Sequence, residues 1–462
     1  MIVLDGAVRA APDARFTATA VEHDAIDPFA LFGVARSAGL DASLWLDPGT
    51  GRTMVGIDVV ARVAPEGPRR FERLGDAWRT LAAEIATRGP AAASPLAGPM
   101  LLGGAAFRDR PSTDPRWFGF GPIAFDLPRL TVALEGGVTV VTRIDRDISS
   151  IAAADGLGPP DDRSRPAPSP GVAPSVTGLR PDRASWSSSV ARITGAVGRG
   201  RLDKVVLARR VDLRAERAID TTEVLRRLAG PGRVDPSPGA RLASTVFAVA
   251  RGERTFLGST PERLASVRGG SLRTMALAGT TPRGLDAAED AALGAALLAS
   301  EKDREEHAVV AMMLRETLAP LVTRLTLPRV PRIVRSGRVQ HLVSDVSATL
   351  RAGIGLLDVA QRLHPTPAVA GWPTDAALEL LDEESDLDRG WYAGPVGWLD
   401  RAGDGDLSVA IRSGLVHGCD ATLFAGCGIV ADSEADREWD ESTQKLGVMG
   451  DALGWVPDDR AP

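Results

Sequence analysis

Apolar residues recur along this chain in two rhythms. Runs such as ASLWL, LTVALEGGVTVVT, KVVLARRVDL, STVFAVARG, TFLGSTPERLASVRG and SLRTMALAGT are rich in β-branched and aromatic residues and bounded by Gly-marked turns, which predicts strands. Glu135-Gly136-Gly137 reads as a hairpin turn. Helical spacing governs FERLGDAWRTLAAEIATRG, which ends on Gly89, and WSSSVARITGAVGRGRL. It also governs a long segment, about 285–319, with Leu293, Leu297, Val310, Met313, Leu314 and Leu318 on its apolar positions and Pro320 as its stop. HLVSDVSATL, LSVAIRSGLV and TLFAGCGIV read as further strands, and a closing helix is predicted from Ser433 to Ala452. Strands often follow one another directly as hairpins, which favours an α+β layered fold with antiparallel sheet over a doubly wound parallel one.

One break interrupts this pattern. Residues 156–182, dense in Pro, Gly and Ser, read as an exposed connector between a leading part, 1–155, and a trailing part, 183–452. Composition then narrows the function classes. With 44% hydrophobic and 25% charged residues, the chain reads as a soluble globular protein. No run approaches the roughly 18 apolar residues of a membrane helix, and the first residues, MIVLDGAVRAAPDARF, lack the pattern of a signal peptide. Cys419 and Cys427 show no zinc-like spacing and are expected to be reduced thiols in a cytoplasmic protein. A net charge of −6 with mixed signs argues against nucleic-acid binding. No GxGxxG or GxxxxGK[ST] follows a strand, so nucleotide-phosphate binding has no support. Arg is abundant while Lys is scarce, which draws attention to each lysine.

Two acidic helical pairs are candidates for chemistry. Asp303 and Glu306 share a helix face with Ala299 and Val310, and Glu438 and Glu441 repeat the spacing with Lys445 one turn on. Ser433 with Asp436 resembles a capping box that would start the second helix. Facing each other, the pairs would make an oxygen cage suited to magnesium; alternatively they are solvated helix faces, with Glu441–Lys445 a surface ion pair. Lys204, at a strand start, is a solvated lysine or a general base in a partly dry site. Glu262, after a proline, is a surface acid or a proton donor of raised pKa. Arg412 sits inside an apolar strand and needs a carboxylate partner or an anionic ligand. Gly426 and Gly428 expose backbone N–H groups or permit a bulge, while His341 and Tyr392, the only tyrosine, read first as packing residues.

Taken in order, DKVVLAR (203–209), FLGSTPERL (256–264), ALAGTTPRG (276–284), LASEKDREEH (298–307), HLVSDV (341–346), LHPTPAVAG (363–371), WYAGPVGW (391–398), AIRSG (410–414), AGCGIVADS (425–433) and EWDESTQK (438–445) resemble the chorismate-utilising enzymes. These are the isochorismate, salicylate, anthranilate and aminodeoxychorismate synthases. The resemblance covers about 180–450, with the leading segment matching the family's more variable half. It implies one large α+β domain, two antiparallel sheets packed face to face with helices outside, so that the connector need not be a domain boundary. It further implies magnesium held by Glu306 and Glu438, with Asp303 and Glu441 as partners. Arg412, Tyr392 and the backbone near Gly428 would grip the enolpyruvyl carboxylate of chorismate; Gly279 and Thr280 would line the ring, and His341 and Lys445 would sit beside it. Lys204 occupies the place of the base in water-adding members, and Ala278 stands where aminodeoxychorismate synthases often carry a lysine. That implies an isochorismate synthase, with Glu262 as acid, serving menaquinone or siderophore biosynthesis. Salicylate synthase is the alternative, which HPTPAVAG argues against; an ammonia-using anthranilate-type synthase is less favoured. The resemblance implies a monomer with no obligatory glutamine amidotransferase subunit. Thr260, Met275 and Cys427 depart from common family residues without removing one on which the chemistry depends.

Overall fold

The protein is described by a computed structural model covering residues 2–4, 16–145, 173–230, 244–336 and 339–456. Its strands form two antiparallel sheets that share a pair of long bent strands, Arg52–Val63 and Ile123–Glu135. Where Thr53–Ile57 pairs with Leu130–Leu134, the two belong to the first sheet. That sheet continues on one side through Ala42–Asp47, Thr245–Arg251, Arg254–Thr260, Ser413–His417, Asp420–Ile429 and Lys204–Arg214. Further along, Ala61–Val63 pairs with Phe125–Leu127 and opens the second sheet: Met100–Ala105, Pro395–Asp400, Gly405–Val409, Arg263–Arg268, Ser271–Pro282 and Val339–Leu350.

The corner has a local cause. Pro128 stands opposite Val59 and cannot donate to the ladder, Asp58 takes a positive φ of 56°, and the register slips between Val59 and Ala61. A bulge beside a proline bends both strands and lets one ladder turn into another. Among the described strands only two pairings are parallel, Ile2–Leu4 with Arg52–Val63 and Phe16–His23 with Ile85–Arg88.

One buried cluster joins Phe256 and Leu415 of the first sheet to Val396 and Leu407 of the second. Helices Pro28–Ser37, Thr221–Ala229 and Ala435–Leu453 cover the first sheet through a second cluster. Arg70–Ala83, Leu356–Leu363 and Glu301–Leu318 pack with the second sheet. Among the described residues no helix is long and apolar enough to cross a membrane.

Several elements differ from the sequence expectation. The first helix stops at Ala83, and Ile85–Arg88 is a strand. The long helix is two, Ala287–Ala299 and Glu301–Leu318, because Ser300 turns extended and caps the second through Asp303 N. Ala299 therefore belongs to the first of these and is exposed rather than sharing the acidic face. Part of the connector, Ser175–Arg180, is a strand on Lys204–Arg214; residues 156–172 lie outside the described residues.

Candidate active site

The chain crosses between the sheets twice at the same end of the sandwich. Thr260 ends a strand of the first sheet and Arg263 begins one of the second, with Pro261 and Glu262 between them. Val409 ends a strand of the second sheet and Ser413 begins one of the first, so LSVAIRSGLV is two strands and Arg412 lies in the crossing, not inside a strand. The crossings are tied together. Thr260 Oγ1 donates to Val409 O at 2.6 Å, Val409 N to Glu262 O at 3.0 Å, and Ser259 N to Arg412 O at 3.1 Å. Arg412 holds a positive φ of 53°, a strain of about 1–3 kcal/mol that only a fixed surrounding sustains.

A cavity of about 300 Å³ opens at these crossings. Its wall takes Lys204, Glu262, Gly279, Thr280, Asp303, Glu306, His341, Tyr392, Arg412, Gly428, Glu438, Glu441 and Lys445, so the residues expected to bind substrate or metal or to act as acid and base are brought to one place.

Lys204 starts its strand and reaches Glu306, Nζ to Oε1 at 2.8 Å. Its side chain passes over Gly428 of the adjacent strand: a Cβ there would lie 2.1 Å from Lys204 Cε, so the glycine makes room for the lysine. Gly426 and Gly428 run in regular register with Ala208 and Val206 and form no bulge. The bulge falls at Gly279, φ 74°, where Ala278 pairs with Leu342 and Thr280 with His341.

Glu262 is buried, 8% exposed, and burial pushes its carboxyl up to about 7 despite the opposing charges of Lys204, Lys445 and Arg412. A carboxyl so placed keeps its proton near neutrality and can give it away. His341 is buried too; desolvation first, then Arg412 and Lys445, lowers its pKa to about 4, so the ring is neutral and takes Thr280 Oγ1 at 3.0 Å. Tyr392 stacks on Phe424, centroids 5.2 Å apart, and burial raises its hydroxyl to about 12.

Arg412 makes no ion pair or hydrogen bond through its guanidinium among the described residues, although burial lowers its pKa. The structural carboxylate partner is thus missing, and an anionic ligand is the remaining way to satisfy it.

The acidic pairs enter from Glu301–Leu318 and Ala435–Leu453. Glu441 pairs with Lys445 at 2.6 Å, and Lys445 also donates to Gly426 O at 2.9 Å. Glu438 has no cationic partner within ion-pair distance among the described residues; burial, then the neighbouring charge of Glu441, raises its pKa. Ser433 does not cap the helix, whose N-cap is Glu434; its hydroxyl donates to Glu438 Oε1 at 2.7 Å and accepts from Val430 N. Among the described residues no three His, Cys, Asp or Glu side chains gather closely enough to share an ion.

Sequence reasoning gave no site role to Arg389 or Lys302, and it noted Cys427 only as a departure from the family residue. Arg389 donates to Val369 O at 2.7 Å and Val206 O at 2.5 Å, pinning two walls together. Lys302 spans to Asp432 at 2.7 Å. Cys427 donates from Sγ to Glu438 O at 3.5 Å. The only signal for these was their place inside motifs already singled out.

A family model described as chorismate binding enzyme matches residues 5–454. The chain is 36% identical over 449 residues to the salicylate biosynthesis isochorismate synthase of Pseudomonas aeruginosa, covering 95% of this chain and 90% of that one. It is 31% identical over 448 residues to the isochorismate synthase MenF of Bacillus subtilis, covering 93% and 92%. Among solved structures, MenF, the menaquinone-specific isochorismate synthase of Escherichia coli, superposes with a TM-score of 0.75 at 25% identity over 95% of each chain. Anthranilate synthase component I of Streptococcus pneumoniae shares the fold, with a TM-score of 0.64 at 20% identity over 96% of this chain and 93% of that one. The chain belongs to the chorismate-binding enzyme family.

Proposed function

We propose that this protein is an isochorismate synthase, adding water to C2 of chorismate and expelling the C4 hydroxyl. The observation that carries the reading is one cavity wall that holds Lys204, the buried Glu262, whose carboxyl is pushed up to about 7, and Arg412, whose guanidinium has no partner among the described residues. Lys204 Nζ takes a proton from the attacking water, the ring double bonds shift, and Glu262 protonates the leaving hydroxyl. Arg412 and Tyr392 hold the enolpyruvyl carboxylate, and neutral His341 with Thr280 lines the ring. Lys204 serves as base in its amine form, so its ion pair with Glu306 must be given up and its extra proton released to solvent first; that carboxylate then has a second task available.

The four carboxylates suit magnesium. The donors are all oxygen, and Glu438, with no ion-pair partner among the described residues and with Glu441 nearby, is a charge that a divalent ion would relieve. Glu306 and Glu438 would hold the ion, with Asp303 and Glu441 as partners directly or through water. Bound there, magnesium would supply a positive anchor for the ring carboxylate of chorismate. With water as nucleophile, no amidotransferase partner is required, and the protein works alone.

The test is a product assay with purified protein, chorismate and magnesium. Isochorismate without salicylate or pyruvate, abolished by a chelator, is the expected result. Salicylate and pyruvate in equal amounts would make the protein a lyase instead, and amination dependent on ammonia would overturn water as the nucleophile.

A further inference from the structure

Only three of the 54 Lys and Arg residues in this chain are lysines. All three, Lys204, Lys302 and Lys445, line the cavity of the candidate site, where the only arginines are Arg389 and Arg412. Elsewhere the chain meets every need for a positive charge with arginine, so a retained lysine marks a place where guanidinium does not serve. Lys204 and Lys445 face carboxylates of the acidic set, Glu306 and Glu441. Lys302 is unaccounted for.

Lys302 lies at the start of the helix Glu301–Leu318, next to Asp303, and its Nζ meets Asp432 at 2.7 Å. Asp432 stands in the loop just before Ser433 and the helix Ala435–Leu453. The pair therefore ties the helix that carries Asp303 and Glu306, from a residue on the cavity wall, to the loop that leads into the helix carrying Glu438 and Glu441. Its side chains are 68% and 67% exposed. An ion pair so wet adds little to stability, and arginine would form it at least as well, with two parallel hydrogen bonds. An ammonium differs in being a compact point charge that exchanges partners readily. Asp303 and Glu306 both lie within its electrostatic reach.

We propose that Lys302 is a positioning residue: with Asp432 it forms an exchangeable latch that sets the spacing between the two acidic helices. The inference rests on the proposed reading of the site as a magnesium-dependent one. Removing either partner lets the helices part and weakens the ion site. Locking the latch with a guanidinium hinders opening of the cavity.

The test compares Lys302→Ala, Lys302→Arg, Asp432→Ala and the double alanine variant. Magnesium binding is measured by calorimetry on the protein alone, and KM, kcat and Tm are measured in parallel. Lys302→Ala and Asp432→Ala should each weaken magnesium binding about 10-fold, the lower end for residues that orient ligands without touching the ion. The double variant should be no worse than either single one, and Tm should not move. Lys302→Arg should keep the magnesium affinity and lower kcat. Unchanged magnesium affinity in both alanine variants, additive losses, or wild-type kcat in Lys302→Arg would each overturn the latch. Wild-type protein that binds magnesium but leaves chorismate untouched would instead refute the proposed reaction, while the calorimetric comparison still judges the latch.

Discussion

Taking away the amine of Lys204 should separate binding from chemistry, because the proposed carboxylate grip lies with Arg412 and Tyr392, on the same cavity wall. Lys204→Ala should lower kcat at least about 100-fold, the contribution of a positioned base, while chorismate still binds in a direct titration; equal turnover would remove Lys204 from the base role. Glu262 gives a pH signature. As the acid it must be protonated, so kcat should fall as pH rises through about 7, and a profile flat from pH 6 to 8 would argue against it. The same group ties stability to pH. Its folded pKa lies above the ordinary value of 4.5, so its contribution to stability is full below that value and lost as pH rises through about 7. Glu262→Gln should therefore gain stability relative to wild type at pH 8 but not at pH 4, read from urea midpoints. Both residues were legible in sequence through the motifs DKVVLAR and FLGSTPERL, whereas position alone left each open to being a solvated side chain. Arg389 was not, because an arginine that satisfies itself on Val206 O and Val369 O leaves no partner pattern in the chain.

Elements carry the site through close approaches that a single methyl group would spoil. In Gly428→Ala the new Cβ would fall 2.1 Å from Lys204 Cε, and the lysine must leave its place. Misplacing a reacting group by about 1 Å can cost about 100-fold, so kcat should fall steeply while circular dichroism stays native; an unaffected kcat would mean that Lys204 works from another rotamer. The strand and helix periods announced most elements, yet two boundaries hid inside them. Ser300 splits what reads as one helix, since a serine in extended conformation caps the second half while the apolar spacing runs on across it. Arg412 splits what reads as one strand, because its positive φ belongs to the crossing and nothing in VAIRSG signals left-handed backbone.

At the scale of the molecule, the sheet corner is the feature least visible in sequence, because it depends on Pro128 meeting Val59 from 69 residues away. Asp126 braces that corner: it accepts from Arg62 Nε at 2.5 Å and Arg251 Nη2 at 3.1 Å, and it is only 4% exposed. Asp126→Ala would leave Arg62 with Asp41 alone and Arg251 with backbone carbonyls alone, and breaking a buried pair costs about 3–5 kcal/mol. A clearly lowered Tm is expected, and an unmoved one would show that the strands hold the bend without it. The distribution of lysines has a practical consequence on the same scale. Every side-chain amine in the chain lines one cavity, Lys302 at its exposed rim, so the rest of the exterior offers no lysine to reagents that seek primary amines. Acylation or reductive methylation, harmless to the surface of most proteins, would here strike the catalytic centre almost alone. Coupling the protein to an amine-reactive support would silence it, whereas a dye attached through Cys419 would leave the cavity untouched.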